Sequence, residues 1–576
     1  MSTSQQIIYT INANCQDCYR CVRECPVKAI KINSGQAMIE GNLCIKCGNC
    51  VRECPQYAKI VRSDLAMARS IFTEEKVVVA SVAPSFPVLF PGVLTRLLPS
   101  ALRQLGFKYV CETAEGAKHI TDQSFAKPFK GNICTACPAV VNYVEKYRPE
   151  HTDKLIPVVS PMVAHGRMLK EKFPDCAVVF IGPCAAKKDE SQREENLDAI
   201  DYVITFAELL EWFSSEGLQL ENCTESDFDK FFEVGEARLF PLHGGMLRTG
   251  GIYCDDTQLE VLHLSGSDEV IALFEDSSNI ENKLIEPLFC KGGCINGPCF
   301  ESEFNPIHNT NMFNRRDQII TYASEATKRT FPLPNNKSIN SQAIFHETPI
   351  KLEDVSENKI QKILEHTGKV NSSQQLNCGA CGYKSCLENA YAVARGMAEL
   401  DMCLPHMIQL AHLRNDKIIE LSPNGVVMLD SELCIMKMNP AFQKMFSCNN
   451  GIIGRRISYL VNAQGFESLQ SGAKERYESI QSKYGIKYHE MIFALPEEGQ
   501  YVGIFADVSK MKYDSRQLDA IKMQTLQHAR DFLDHQIKFS QEMAHFLGKS
   551  AAQSEEMAKY LIDLYAEADE GENVQQ

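Results

Sequence analysis

The sequence predicts a multidomain chain that mixes α/β and α+β units, and three observations carry that prediction. Its 576 residues leave room for roughly three to five domains of ordinary size. Strand-like and helical runs alternate between about 77 and 330, the pattern of an α/β sheet. The 24 cysteines fall mostly in short clusters instead of spreading as a disulfide framework. In a reducing compartment such clusters point to metal.

Composition narrows the function classes. Lys and Arg number 59 against 74 Asp and Glu, a formal net charge of −15, which argues against nucleic-acid or anionic-membrane binding. A hydrophobic fraction of 44% excludes wholesale disorder. The stretch from Val77 to Leu94 is the most apolar, but Pro84, Pro87 and Pro91 break it, so no membrane span is expected. MSTSQQIIYTINANC carries neither a basic n-region nor an apolar h-region, so the expected location is cytoplasmic.

Residues 1–62 carry one motif twice. CQDCYRCVRECP supplies Cys15, Cys18, Cys21 and Cys25, and CIKCGNCVRECP supplies Cys44, Cys47, Cys50 and Cys54, each run closing on a proline. Soft thiolates at this spacing suit iron–sulfur clusters, with the fourth cysteine of each run serving the other cluster. Cys15, Cys18, Cys21 and Cys54 are thus expected to hold one 4Fe-4S cluster, and Cys44, Cys47, Cys50 and Cys25 the other. Two zinc sites are the alternative, but zinc has no need of the repeated Cys-Pro. Between the runs, AIKINSG and AMIEGNL read as strands around a Ser-Gly turn. The segment resembles the bacterial two-cluster ferredoxins, which implies one-electron transfer.

Residues 77–330 read as α/β, with strand-like VVVASVAP, LIPVVSP, CAVVFIGP and YVITF, and helical AVVNYVEKYRPE and FAELLEWFSSEG. Four cysteines stand at strand ends or Gly-rich loops: Cys137, Cys184, Cys290 and Cys294. Singly, each reads as a buried structural residue. Together CTACPAV, FIGPCAAKKDE and FCKGGCINGPC resemble the active-site domain of the iron-only (FeFe) hydrogenases over roughly 77–303. The resemblance implies a two-lobed α/β domain whose H-cluster is a 4Fe-4S cubane joined to a diiron unit carrying CO and cyanide. Cys137, Cys184 and Cys290 would be cubane ligands, and Cys294 would bridge to the diiron unit. Lys187 matches the lysine that hydrogen-bonds one cyanide in that family, and Ala83-Pro84-Ser85 matches the family's turn that approaches the other. Glu190 matches an outer carboxylate of the proton relay.

The departures from that family bear on activity. Catalytic members place a proton-passing cysteine where this chain has Ala136. The relay's hydroxyl position falls on Ile156, a carboxylate position falls near Ser124, and Gly182 replaces a methionine. Since general acid–base help is commonly worth roughly 10²–10⁴ in rate, slow hydrogen turnover is expected. The polar run PLPNNKSINSQ reads as a linker.

In 371–410, CGACGYKSC and a later cysteine give Cys378, Cys381, Cys386 and Cys403. The spacing resembles a small 4Fe-4S domain of redox and corrinoid proteins, with zinc again the alternative. LENAYAVARGMAELDM between the last two cysteines reads as a helix. From 418 to 512, SPNGVVMLDSELCIMKMNPAFQKMF and YVGIFADVSKMK resemble the two ends of a PAS domain, through Asn424-Gly425, Asp430, Asn439-Pro440-Ala441-Phe442 and Asp507-Val508. A cofactor-free relay or dimerisation module is the expectation there. Residues 513–576 read as an output or docking helix with an acidic tail, its apolar stripe including Leu526, Ala529, Leu533 and Ile537. Cys111, Cys134, Cys176, Cys223, Cys254, Cys299, Cys434 and Cys448 are assigned to structure, and His165 and His243 to local hydrogen bonds.

Three functions follow. The first is a hydrogen or redox sensor with weak turnover, similar to the sensory hydrogenases of anaerobic bacteria. Its electrons would pass through 4Fe-4S clusters to the PAS module and then to a kinase or phosphatase. The second is a working hydrogenase that exchanges electrons between hydrogen and a redox carrier protein. The third is an electron-transfer or scaffold protein without the diiron unit, like the eukaryotic hydrogenase-like assembly proteins. Protons and hydrogen are the small-molecule partners of the first two, and a homo-oligomer is expected through the PAS domain or the last helix.

Overall fold

The computed structural model describes residues 6–126, 131–252, 261–275, 280, 283–300, 311–327, 339–472, 476–495 and 499–509. The chain divides into two compact units, Met1–Gln409 and Leu410–Gln576. Cys254, most of the expected linker and the whole helix expected after Tyr513 lie outside the described residues.

In the first unit the N-terminal module is built from two short antiparallel pairs. Strand β1 (Ile8–Thr10) and strand β4 (Lys59–Val61) bring the ends of the module together, while β2 (Ile30–Asn33) and β3 (Gln36–Ile39) form a hairpin. Ser34 and Gly35 turn that hairpin with positive φ, as the Ser-Gly pair suggested. Each cysteine run folds as a loop followed by a single helical turn, Arg20–Glu24 and Asn49–Arg52.

The next layer is a parallel four-stranded sheet in the order β6-β5-β7-β8, where β5 is Val78–Val82, β6 is Tyr109–Glu112, β7 is Ala177–Gly182 and β8 is Tyr202–Thr205. β5 (VVASV) and β7 (AVVFIG) are buried at every position, because helices cover both faces of a parallel sheet. Among these helices are Ala114–Ser124 and Pro161–Lys172, packed side by side. Gly116 permits their close approach: a Cβ there would stand 2.4 Å from the Pro161 carbonyl oxygen and 2.6 Å from the His165 Cβ. A second, two-stranded parallel sheet pairs β9 (Val261–Ser265) with β10 (Leu284–Leu288). This pair is invisible to the sequence patterning used above.

Two expectations need correction. LIPVVSP forms only isolated bridges. Pro157 has no N–H to give a ladder, and the Ile156 and Val158 carbonyls accept instead from Thr135 Oγ1. The helix expected over LENAYAVARGMAELDM runs only from Cys386 to Ala394. Gly396 then takes φ +70, a left-handed stop, and a short 3-10 turn Leu400–Met402 carries the chain to Cys403.

In the second unit an antiparallel sheet has the order β12-β11-β15-β14-β13, with β11 Gly425–Leu429, β12 Ile435–Met438, β13 Arg476–Lys483, β14 Ile486–Leu495 and β15 Gln500–Asp507. Asn439 caps the helix Pro440–Met445 through the Phe442 N–H (2.9 Å) and also accepts from the Val426 N–H (2.8 Å). Phe442, Phe446, Phe505 and Tyr488 fill the core between helix and sheet. The β13–β14 hairpin was not foreseen. Among the described residues no helix is long and apolar enough to cross a membrane.

Candidate metal centres

The N-terminal module pairs its cysteines across the two runs. Burial raises the Cys21 thiol to about 11, and its thiol neighbours are Cys18, Cys54 and Cys15. Cys25, raised to about 11 by complete burial, has Cys44 as its thiol neighbour. Cys47 and Cys50 both lie in the field of Cys25 and Cys44. The fourth cysteine of each run therefore stands with the first three of the other. Cys21 also acts on Cys50, so the two groups adjoin.

In the α/β layer the loops after three strands and one helix turn converge. Cys137 caps the helix Pro138–Tyr147, Cys184 follows β7, and Cys290 and Cys294 follow β10. All four line one apolar cleft of about 860 Å³ together with Ala83, Pro84, Ser85, Ala136 and Lys187. Burial holds the Cys290 thiol up at about 12 and the Cys184 thiol at about 11. Cys294 is pushed well above the usual thiol range by burial and then by Cys290, Cys137 and Cys184.

Two cations approach this group. Lys187 Nζ donates to Glu190 Oε2 at 2.7 Å and to the Ala136 carbonyl at 3.4 Å. Arg52, from the second cysteine run, lies beside Cys290 and donates to the Asn296 carbonyl (3.2 Å). Glu190 Oε2 also accepts from Ser160 Oγ at 3.0 Å. Ser85 is 1% exposed, lines the cleft, and its Oγ has no partner among the protein groups. A buried hydroxyl without a partner is costly unless something else fills the cleft.

Of the positions matched to a proton relay, Ala136 lines the cleft and Glu190 pairs with Lys187, whereas Ile156 and Ser124 lie elsewhere. Ile156 and Ser124 are buried, and neither is among the groups lining the cleft. Gly182 has a local reason: a Cβ there would stand 2.6 Å from the Phe180 ring. That ring also lines the cleft.

Cys378, Cys381, Cys386 and Cys403 line a third, smaller pocket of about 350 Å³. Asn377, Gly379 and Gly382 bend the loop with positive φ, and Ser385 caps the helix that begins at Cys386. Lys369 Nζ donates to Cys403 Sγ at 3.0 Å. The buried atoms Tyr383 Oη and Asn389 Nδ2, also at this pocket, have no protein partner.

The three groups are contiguous. Cys47 lines the large cleft and lies in the field of Cys290. On the opposite side, Lys28 Nζ donates to the Gly382 carbonyl (2.9 Å), and Tyr383 lies in the field of Cys381 and Cys25. None of Arg52, Lys369 or Cys47 as a cleft residue was foreseen from sequence, since their roles depend on contacts between distant segments.

The donor sets fit iron–sulfur clusters. Clustered thiols in dry surroundings resist ionisation, and only a bound cation of high charge makes such a set of thiolates favourable. Among the described residues no three His, Cys, Asp or Glu side chains close upon a single metal ion. Of the cysteines assigned to structure, Cys111, Cys134, Cys176, Cys223 and Cys299 are buried. Cys299 nonetheless lies in the field of Cys184 and Cys290.

The folds and cysteine groups together define a hydrogenase-like iron–sulfur protein, and comparison with known proteins supports that class. Residues 76–254 match the iron only hydrogenase large subunit, C-terminal domain, residues 14–59 a 4Fe-4S dicluster domain, and residues 374–405 a putative Fe-S cluster domain. Among curated relatives, the cytosolic Fe-S cluster assembly factor NAR1 of Kluyveromyces lactis is 35% identical over 99 residues, 17% of this chain and 21% of that protein. The match therefore spans about a fifth of that relative's length. Among solved structures, FeFe-hydrogenase HydA1 from Chlamydomonas reinhardtii aligns at 16% identity and a TM-score of 0.37, over 50% of this chain and 100% of that one. A PAS domain of an HTR-like protein from Haloarcula marismortui aligns at 18% identity and a TM-score of 0.16, over 18% of this chain and 95% of that one.

Proposed function

We propose that this protein binds hydrogen at a diiron–4Fe-4S site, turns it over slowly, and passes the electrons through its 4Fe-4S groups to a PAS-type signalling module. The observation that carries this reading is the large cleft, where Cys137, Cys184, Cys290 and Cys294 meet Lys187 and the unpartnered Ser85 hydroxyl. When bound, the diiron unit supplies the splitting of hydrogen and the cubanes supply one-electron transfer. Cys137, Cys184, Cys290 and Cys294 would hold the inner cubane and its diiron partner. Lys187 and Ser85, the latter set by Pro84, offer donors to two anionic ligands, where charge-assisted bonds are strongest. The apolar walls exclude water. Ala136 offers only a methyl group where a proton carrier is needed, and this makes turnover slow. Cys15, Cys18, Cys21 and Cys54, then Cys25, Cys44, Cys47 and Cys50, then Cys378, Cys381, Cys386 and Cys403 hold the remaining clusters. A cytoplasmic setting and a homo-oligomer through the PAS-like unit complete the reading.

A scaffold or assembly role without the diiron unit is the second reading, favoured by the similarity to the NAR1 assembly factors. Infrared spectroscopy separates the two. Protein purified without oxygen from cells carrying the diiron maturation machinery is expected to show CO and cyanide stretches. A full complement of cubane iron with no such bands overturns the hydrogen reading and leaves the scaffold.

A further inference from the structure

The cleft has a second polar exit that the roles above leave unused. Thr113 lines it, at the end of β6 and beside the start of helix Ala114–Ser124. Thr113 Oγ1 lies 2.7 Å from Ser81 Oγ, and Ser81 Oγ lies 2.8 Å from His165 Nδ1. His165 Nε2 faces Glu115 Oε2 at 3.3 Å, and Glu115 Oε1 accepts the Phe231 N–H at 2.9 Å. All four side chains are nearly inaccessible: Thr113 is 2% exposed, Ser81 0%, His165 0% and Glu115 1%.

The partners fix the direction of the hydrogens. The Glu115 carboxylate takes an N–H at one oxygen and faces His165 with the other, which assigns the ring hydrogen to Nε2. Nδ1 is then an acceptor, so Ser81 donates to it and Thr113 donates to Ser81. Every hydrogen points from the cleft towards Glu115. A hydrolytic triad has the same residue types, but Ser81 sits inside the central strand β5 and is not among the cleft residues. The charged groups around the far end are Asp229, Arg103 and Glu112, which with Glu115 act on Cys111. Lys118 follows Glu115 on the same helix and is paired with Asp122. His119 points away to Ser341 Oγ (2.8 Å).

We propose that Thr113, Ser81, His165 and Glu115 form a proton-carrying chain from the cleft wall to a buried His–Glu store. A proton released in the cleft bonds to Thr113 Oγ1, whose own hydrogen moves to Ser81 Oγ. The Ser81 hydrogen moves to His165 Nδ1, and the Nε2 hydrogen moves to Glu115 Oε2. One O–H or N–H bond forms for each that breaks, no electrons change hands, and the return runs the same steps backwards. The chain links the cleft wall to a chargeable acceptor, which Ala136 does not supply. Its catalytic use rests on the proposed hydrogen chemistry, but its existence does not.

The test uses the full chain carrying its cubanes but produced without diiron maturation, with histidine ring nitrogens labelled. Interchange of His165 between its Nε2–H and Nδ1–H forms, which each passage of a proton along the chain requires, is followed by NMR relaxation dispersion of the ring nitrogens. The chain predicts at least tenfold slower interchange in Thr113→Val and a rate within about twofold of the parent in Thr113→Ser. A purely structural hydroxyl would not set this rate. Equal interchange in T113V and the parent overturns the proposal. If T113V does not fold, Ser81→Ala interrupts the same route one residue further in and is held to the same criterion. A parallel infrared spectrum of matured protein keeps the two questions apart: missing CO and cyanide bands overturn the hydrogen reading, while the interchange rates still decide the chain.

Discussion

Gly48, between two cysteines of the second run, lies against Pro298, four residues after Cys294. A Cβ at Gly48 would stand 2.4 Å from the Pro298 Cγ. Gly48 also holds φ +78, a backbone region where a side chain is strained. This contact seats the N-terminal module against the large cleft. Gly48→Ala is expected to destabilise the first unit by about 2 kcal/mol, the usual range for overpacking a fitted contact. Gly41→Ala, where a Cβ meets nothing within 4 Å, should be near neutral. Thermal midpoints of the anaerobic protein decide it, and equal midpoints for both variants would show that the contact is loose.

If the proposed hydrogen chemistry holds, a proton carrier placed at the cleft should accelerate turnover. Ala136→Cys is expected to raise the rate by at least about tenfold, within the range of general acid–base help. Hydrogen evolution with a chemical reductant measures it. An unchanged rate, with the infrared bands intact, would remove proton delivery as the bottleneck.

On the proposed cluster assignment, Lys369 tunes the electronics of the third group. Its Nζ donates to Cys403 Sγ at 3.0 Å, and both charge and hydrogen bonding at ligand sulfur raise a cluster's reduction potential. Lys369→Met should therefore lower the potential of the cluster held by Cys378, Cys381, Cys386 and Cys403 and leave the others in place. A redox titration followed by electron paramagnetic resonance reads the shift, and a potential unchanged by the substitution would refute the assignment.

Glu286 gives the first unit a pH-dependent stability. Complete burial pushes its carboxyl up to about 7, against the pull of the Leu247 and Met246 N–H groups. The folded state therefore holds this proton more tightly than the unfolded chain, whose glutamate titrates near about 4.3. Its contribution is fully present below that value and is lost as pH rises through 7, a total of about 4 kcal/mol. Glu286→Gln should flatten the fall in thermal midpoint between pH 5 and 8. The same slope in the variant would assign the fall to other groups.

Much of the site was legible because cysteine spacing is local. The crossed grouping of Cys25 and Cys54 followed from the doubled run alone, and CTACP, PCAAKK and CKGGC marked the residues that meet in the large cleft. What the sequence withheld depends on tertiary contact. LIPVVSP has strand composition, yet Pro157 diverts its carbonyls to Thr135. Residues beyond Ala394 include helix formers, yet Gly396 stops the helix begun at Cys386. Ser81, the Thr113–Glu115 pair and His165 lie in three separate stretches, and the close approach of two helices at Gly116 helps bring them into one chain.

The central claim is that hydrogen in the large cleft and the three outer cysteine groups belong to one electron path. The most direct measurement places fully matured, oxidised protein under hydrogen, with no other reductant, and follows the cubane signals by electron paramagnetic resonance. The account predicts that hydrogen alone reduces the clusters, including the one lost in a Cys381→Ala variant. Clusters that stay oxidised under hydrogen, in protein whose infrared spectrum carries the CO and cyanide bands, would contradict it.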